Sequence, residues 1–315
     1  MRIGIVDSIH PVLQQRLEAA GHSCSVLHTM SERQQNEERP QLEGLVVRSK
    51  RIDAATIDRS PQLKFIARVG SGLENIDQAH CKEKGIIVLN SPEGNRDGVG
   101  ETCVMLLLAL MKILVPANMA VRAGLWPREA LRGTDLSGKT VGIIGFGQMG
   151  SAFAEKLRGF GVRIVAYDRY KHDFGGNGVE EVGLEELLTI SDVISLHLPK
   201  TDETEHYADE AFFAALKRPI WFLNTSRGAV VHTKALLDAI DSGRVHAAAL
   251  DVLEFERPEL DGLDASIDQH SYLRMMQHDR VLLTPHIAGV THEGKYKMAD
   301  VLATKILEHF PHVTT

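Results

Sequence analysis

Three glycines constrain this chain more than any other feature. Gly145, Gly147 and Gly150 form G-F-G-Q-M-G directly after the apolar run Val141–Ile144, and the helical pattern S-A-F-A-E-K-L follows at once. Strand, tight turn and helix in that order predict a βαβ unit. The first glycine makes the turn. The second lets the backbone approach a pyrophosphate, and the third lets the helix pack on the strand. A helix N-terminus at that point attracts phosphate charge. Gln148 and Met149 open this helix, and the whole turn reads as a dinucleotide site.

Apolar runs alternate with helical stretches along the rest of the chain. The predicted strands are Ile3–Val6, Leu45–Arg48, Phe65–Arg68, Ile86–Leu89, Val141–Ile144, Arg163–Tyr167, Val193–His197, Ile220–Asn224, Ala247–Asp251 and Val281–Leu283. They are continuously apolar rather than alternating, as parallel strands covered on both faces are. The fold class is therefore α/β, with two Rossmann-like, doubly wound parallel sheets. A loop-like stretch from Asn90 to Gly100 precedes a helix expected over Glu101–Arg122, and a helix over Glu293–Phe310 closes the chain. The expected domains are a flavodoxin-like substrate domain of residues 1–97 and 290–315 and an NAD-binding domain of residues 98–289.

Asp168 follows the second strand of the glycine unit. Its carboxylate suits the ribose hydroxyls and repels a 2′-phosphate, which favours NAD over NADP. Arg169 and Lys171 work against that preference. His197, Leu198, Pro199 and Thr204 lie in the turn after the next strand and are candidates for the adenosine side.

Three polar residues end later strands: Arg227 in N-T-S-R-G, Glu256 in D-V-L-E-F-E and His286 in T-P-H-I-A-G. Ligands of open α/β sheets bind at strand C-terminal ends. Arginine holds a substrate carboxylate with a planar, permanently charged fork. Histidine supplies a proton near neutral pH, and a neighbouring carboxylate favours its charged form. Together they suit reduction of a 2-oxo acid by hydride. Asp251 is expected to orient Glu256 or His286. Thr225, Ser226, Asp251, His286 and Gly289 are further candidates for cofactor contact.

Composition excludes other classes. A net charge of −7 gives no footprint for nucleic acid or an anionic membrane. The three cysteines, Cys24, Cys81 and Cys103, form no C-x-x-C pair, which suits reduced thiols in a cytoplasmic protein without a metal site. M-R-I-G-I-V-D reads as a first strand rather than a signal peptide. The apolar stretch from Thr102 to Met111 is too short to span a bilayer, and reads as buried between domains or subunits.

The chain resembles the D-isomer-specific 2-hydroxyacid dehydrogenases over nearly its whole length. The matching segments are V-V-R-S (Val46 to Ser49), R-V-G-S-G-L-E-N-I-D (Arg68 to Asp77), N-S-P-E-G-N (Asn90 to Asn95), G-F-G-Q-M-G, L-H-L-P-K-T (Leu196 to Thr201), N-T-S-R-G, D-V-L-E-F-E and T-P-H-I-A-G. The resemblance implies that Arg227, Glu256 and His286 are catalytic, that the Ser71–Gly72 backbone binds the substrate carboxylate, and that the protein is a homodimer through the helix near Glu101. The formate dehydrogenase branch has glutamine in place of the glutamate, so Glu256 argues against it. Two departures stand out. Arg257 intervenes between Glu256 and Pro258, where the family has proline at once. The stretch from Glu256 to His286 is long, and an extra loop or short helix is expected within Asp261 to Gln277.

Arg48, Arg68 and Arg128 match positions that carry arginine in phosphoglycerate dehydrogenases, and Ser49 adjoins the first. Several arginines suit a substrate with a phosphate as well as a carboxylate. The expected reaction is therefore oxidation of 3-phosphoglycerate to 3-phosphooxypyruvate, as in serine biosynthesis, with no regulatory domain. The alternatives are a glyoxylate or hydroxypyruvate reductase, another D-2-hydroxyacid dehydrogenase, and an NAD(H)-responsive corepressor built on the same fold.

Overall fold

The computed structural model describes residues 1–257 and 262–311. Pro258 and Asp261, which enter the sequence reading, lie outside the described residues. The chain divides into two compact units.

The first unit comprises Met1–Arg96 and the segment from Val290 onward. Its strands are β1 (Arg2–Ile5), β2 (Ser23–Val26), β3 (Gly44–Val47), β4 (Phe65–Arg68) and β5 (Ile87–Asn90), all parallel in the order β2-β1-β3-β4-β5. Both faces are covered, as continuous apolar runs require. On one face Ile3, Ile5, Val46, Phe65 and Ala67 pack with Ala299, Leu302, Ala303 and Ile306 of the closing helix His292–His309. That helix starts at Thr291, whose hydroxyl accepts from Gly294 N at 2.8 Å. On the other face Leu45, Val47 and Ile66 pack with Leu27, Leu42, Ile52 and Ile57. Gly44 lacks a Cβ because one would stand 2.2 Å from the Phe65 ring.

The second unit comprises Asp97–Arg257 and Gly262–Gly289. Its strands are β6 (Thr140–Ile144), β7 (Arg163–Tyr167), β8 (Val179–Glu181), β9 (Val193–Leu196), β10 (Ile220–Asn224), β11 (Val245–Leu250) and β12 (Val281–Leu283), parallel in the order β12-β11-β10-β9-β6-β7-β8. The order reverses beside β6: the chain runs outward through β7 and β8, then returns to pair β9 on the other side of β6. This switch point puts the Gly145 turn and the turn after β9 side by side at strand C-terminal ends, where ligands of such sheets bind. Two apolar clusters, one with Leu187, Phe212, Phe222 and Leu236 and one with Cys103, Leu107, Phe153 and Leu157, cover the sheet.

The structure departs from expectation in three places. The strands Ser23–Val26 and Val179–Glu181 are additional; both are short and lie at sheet edges. The single helix expected over Glu101–Arg122 is two, Arg96–Met111 and Leu114–Arg122, bent by 61°. Ile113 breaks it with a left-handed φ of 53°, and Pro116 falls in the first turn of the second helix, where its missing N–H costs nothing. The helix also begins five residues early, inside the stretch expected to be loop. Within the long stretch after Glu256, a helix forms at Gln269–Met276, capped by Asp268.

No single helix among the described residues is long and apolar enough to cross a membrane.

Candidate active site

The glycine turn follows β6 as its sequence requires. Gly145 has φ 92°, and a Cβ there would lie 2.4 Å from the His197 carbonyl oxygen. A Cβ on Gly150 would lie 2.1 Å from the Gly145 carbonyl oxygen, so the helix Gln148–Leu157 packs on the turn only because Gly150 has none. Gly147 differs, because a Cβ there meets nothing within 4 Å. Its side of the turn is open, at the N-terminus of a ten-residue helix. Open space, a bare backbone and a helix N-terminus are what a pyrophosphate needs.

Asp168 ties β7 to this turn. Its Oδ2 accepts from Phe146 N at 2.8 Å, and its Oδ1 from Tyr170 N at 2.9 Å and Lys171 N at 3.0 Å. Burial alone would raise this carboxyl, but the three backbone donors and the Lys171 ammonium outweigh burial and hold it below the usual range. A carboxylate has roughly four acceptor positions, so one remains on Oδ2 for a ribose hydroxyl. Arg169 pairs with Glu203 at 3.5 Å, and Lys171 Nζ donates to the Phe146 carbonyl at 3.1 Å.

In the turn after β9, the His197 ring is closed in although part of the residue reaches the surface. Its Nε2 meets Ser195 Oγ at 2.9 Å, while Nδ1 is buried without a partner. Burial pushes this imidazole down to about 4, so it is neutral at physiological pH. Thr204 holds the turn itself, donating to the Pro199 carbonyl at 2.6 Å and accepting from Thr201 N at 2.8 Å. Leu198 packs against the core beneath.

Arg227 follows β10. Buried Asn224, which ends that strand, shapes the turn: its Oδ1 accepts from Ser226 N at 3.0 Å and Ser226 Oγ at 2.7 Å, and its Nδ2 donates to the Arg227 carbonyl at 2.8 Å. The Arg227 guanidinium donates to the Ser226 carbonyl at 2.7 Å. Beneath the turn, Thr225 Oγ1 lies 3.2 Å from the Sγ of Cys103, a fully buried thiol that burial pushes up to about 12.

Glu256 and His286 meet. Glu256 Oε2 is 2.9 Å from His286 Nδ1, and Glu256 Oε1 accepts from Leu253 N at 2.8 Å. The long stretch that follows does not disturb this. Among its described residues, Leu263 bridges Glu256, Arg257 N donates to Gly262 O at 3.0 Å and Asp264 N to Phe255 O at 2.7 Å. His286 has a left-handed φ of 54°, a conformation that must be held from outside. Asp251 holds it. Its Oδ1 accepts from Thr284 Oγ1 at 2.6 Å and Ile287 N at 2.9 Å, its Oδ2 from Ala288 N at 2.8 Å, and its carbonyl from His286 N at 2.8 Å. Thus Asp251 orients the histidine through the backbone on both sides of it. Gly289 ends this turn and is half-buried. Exposed Arg128 lies in a loop of the same unit.

The first unit holds the remaining candidates. Asp7, which the sequence reading passed over, gathers a loop after β3: its Oδ2 accepts from Arg48 N at 2.6 Å, Ser49 N at 3.0 Å and Lys50 N at 3.2 Å. This leaves the Arg48 and Ser49 side chains exposed. Arg68 Nε donates to the Arg48 carbonyl at 3.0 Å and its Nη1 to the Gly72 carbonyl, so it stitches two loops together. Ser71 is fixed by Asn95 Oδ1, 2.8 Å from its Oγ, and by Asn90 Nδ2, 2.6 Å from its carbonyl.

A sequence model described as "D-isomer specific 2-hydroxyacid dehydrogenase, NAD binding domain" matches residues 104–288. The chain belongs to that family. Hydroxypyruvate reductase of Thermotoga maritima is 38% identical to this 2-hydroxyacid dehydrogenase homologue over 270 residues, 85% of each chain. D-3-phosphoglycerate dehydrogenase of Archaeoglobus fulgidus is 33% identical over 98% of this chain and 57% of its own length. The chain spans about half the length of the curated phosphoglycerate dehydrogenases it matches. Among solved structures, the D-lactate dehydrogenase of Aquifex aeolicus complexed with NAD and lactic acid superposes with a TM-score of 0.80 at 27% identity, covering 98% of this chain and 95% of that one. The second unit accordingly carries the family's NAD-binding domain, and the open glycine turn and Asp168 fit that cofactor.

Proposed function

We propose that this protein is an NAD-dependent dehydrogenase that interconverts a short D-2-hydroxy acid and its 2-oxo acid. The observation that carries this reading is the 2.9 Å contact between Glu256 and His286 on a turn held by Asp251. Bound NADH supplies the hydride that reduces the ketone carbon. Arg227 grips the substrate carboxylate and polarises the ketone. With Nδ1 held by Glu256, His286 presents Nε2 to the ketone oxygen and delivers the proton that completes the hydroxyl. In the oxidative direction the same nitrogen takes that proton back.

The first substrate reading is 3-phosphoglycerate and 3-phosphooxypyruvate, whose phosphate suits an arginine side chain such as exposed Arg48. Phosphoglycerate dehydrogenase relatives support it. A second reading, reduction of hydroxypyruvate or glyoxylate, is favoured by Arg68, whose Nε and Nη1 donate to loop carbonyls. The 38% identical hydroxypyruvate reductase points the same way. We also infer a homodimer formed through the exposed apolar side chains of Met119, Leu125 and Trp126.

The deciding experiment compares kcat/KM for NADH oxidation with 3-phosphooxypyruvate, hydroxypyruvate and glyoxylate. Preference for the phosphorylated acid supports the first reading, and preference for an unphosphorylated acid supports the second. No turnover with any 2-oxo acid overturns the dehydrogenase reading and favours a dinucleotide-responsive binding protein.

A further inference from the structure

Glu254 lies two residues before Glu256, and the reaction as derived gives it no part. Its side chain is only 15% exposed. One oxygen, Oε2, accepts from Thr233 N at 2.9 Å, at the first residue of the helix Thr233–Asp241. The other, Oε1, is 2.5 Å from His206 Nε2. A carboxylate at a helix N-terminus is well placed, but this one also reaches a loop from another part of the sheet.

His206 adopts a left-handed φ of 50°. Its N–H donates to the Ala229 carbonyl at 2.8 Å, two residues beyond Arg227. The His206 ring lies 4.8 Å from the ring of His232, whose Nδ1 pairs with Glu210 at 3.2 Å. The chain therefore places a non-glycine residue in a strained conformation and fastens it at its backbone to the arginine turn and at its ring to Glu254.

Gly228 supplies the third contact. A Cβ on it would stand 2.0 Å from the Leu253 carbonyl carbon and oxygen and 2.6 Å from Glu254 N. The backbone next to Arg227 thus lies flat on the backbone leading to Glu256. That contact alone can slide, since glycine has no side chain to key it. Glu254 keys it, because its carboxylate is bonded to Thr233 and His206, both fastened to the chain that leaves Arg227.

We propose that Glu254, together with His206, is a positioning residue of the reaction. It sets the register of the turn carrying Arg227 against the turn carrying Glu256 and His286. The arginine that holds the substrate and the histidine that protonates it are thereby fixed relative to each other. This inference rests on the dehydrogenase reading above.

The test is single-turnover NADH oxidation by the full-length protein at saturating 2-oxo acid, with Glu254→Ala and Glu254→Gln beside the wild type. NADH affinity is measured by fluorescence titration. A displacement of about 1 Å at a reacting centre can cost about a hundredfold in rate. Glu254→Ala should therefore lower the rate constant by about tenfold or more and leave the NADH Kd within about twofold. Glu254→Gln, which keeps an acceptor for Thr233 and a partner for His206, should recover most of the rate. A purely structural role would lower the amplitude, the fraction of active protein, and leave the rate constant alone. An unchanged rate constant in Glu254→Ala, or a Gln variant no better than the Ala variant, overturns the proposal. Should Glu254→Ala fail to fold, exposed His206→Ala removes one arm of the contact and should slow the same step; an unchanged rate there overturns it. If the wild type reduces no 2-oxo acid, the function has failed rather than this inference.

Discussion

At the scale of single residues, Arg227 gives the sharpest prediction. Lysine keeps the charge but cannot reproduce a planar fork. Losing one charge-assisted bond, about 1.5–3 kcal/mol, corresponds to about a 10- to 100-fold loss. Arg227→Lys should lower kcat/KM for ketone reduction by at least about tenfold, read by NADH absorbance; near-normal activity would contradict its role. His197 gives a prediction about pH. Its folded value, about 4, lies below the ordinary 6.5 because of burial. Above 6.5 it is neutral both folded and unfolded, and its contribution to stability is fully present. As pH falls from 6.5 toward 4 the unfolded chain gains a proton that the folded chain refuses, so stability is lost across that window. Melting temperatures from pH 7.5 to 4.5 should fall more steeply for the wild type than for His197→Gln. Parallel curves would mean the ring takes up its proton in the folded state.

At the scale of elements, the glycine turn separates packing from ligand binding. Gly150→Ala sets a methyl 2.1 Å from a backbone oxygen and should cost about 1–3 kcal/mol of stability, as overpacking does. Gly147→Ala meets nothing and should leave the melting temperature of the free protein unchanged. It should nonetheless weaken NADH binding by about tenfold or more, about 1.4 kcal/mol. An undiminished affinity in Gly147→Ala would move the pyrophosphate away from this turn.

These elements also show what a sequence discloses. The central strands are legible because both faces are apolar: Phe65–Arg68, Arg163–Tyr167 and Ile220–Asn224 run over the residues expected. Ser-Cys-Ser-Val at the edge of the first sheet carries no such signal. The helix break at Ile113 is hidden for a related reason. Periodicity runs through it, and only Pro116 hints at a new first turn. In the site, residues that end strands are legible from their place in the pattern. Asp7, Glu254 and His206 are not, because what they do is contact chain far away in sequence. Asn224 was in view within N-T-S-R-G, yet its grip on Ser226 and Arg227 appears only once the turn is built.

At the scale of the molecule, the proposed homodimer is tested at the exposed apolar side chains beyond the helix break. Met119 is 64% exposed, Leu125 59% and Trp126 74%, and apolar side chains exposed together suit a protein–protein contact. Size-exclusion chromatography with light scattering should give a dimer for the wild type. The double variant Met119→Glu with Trp126→Ser should run as a monomer. A wild-type monomer would remove the homodimer from the reading.

Cys103 carries a practical consequence. Its sulfur lies 3.2 Å from the threonine beneath the Arg227 turn, close enough that a bulky adduct would push into the nucleotide side of the protein. Yet burial pushes this thiol far above the ordinary cysteine range, so it stays protonated at pH 7, and the thiolate is the reactive species. Alkylating reagents and mild peroxide should leave this position untouched in the folded protein, and turnover should survive purification in air without added reductant. The same burial makes the thiol a reporter of opening, since labelling at Cys103 marks the moment the nucleotide-binding sheet comes apart.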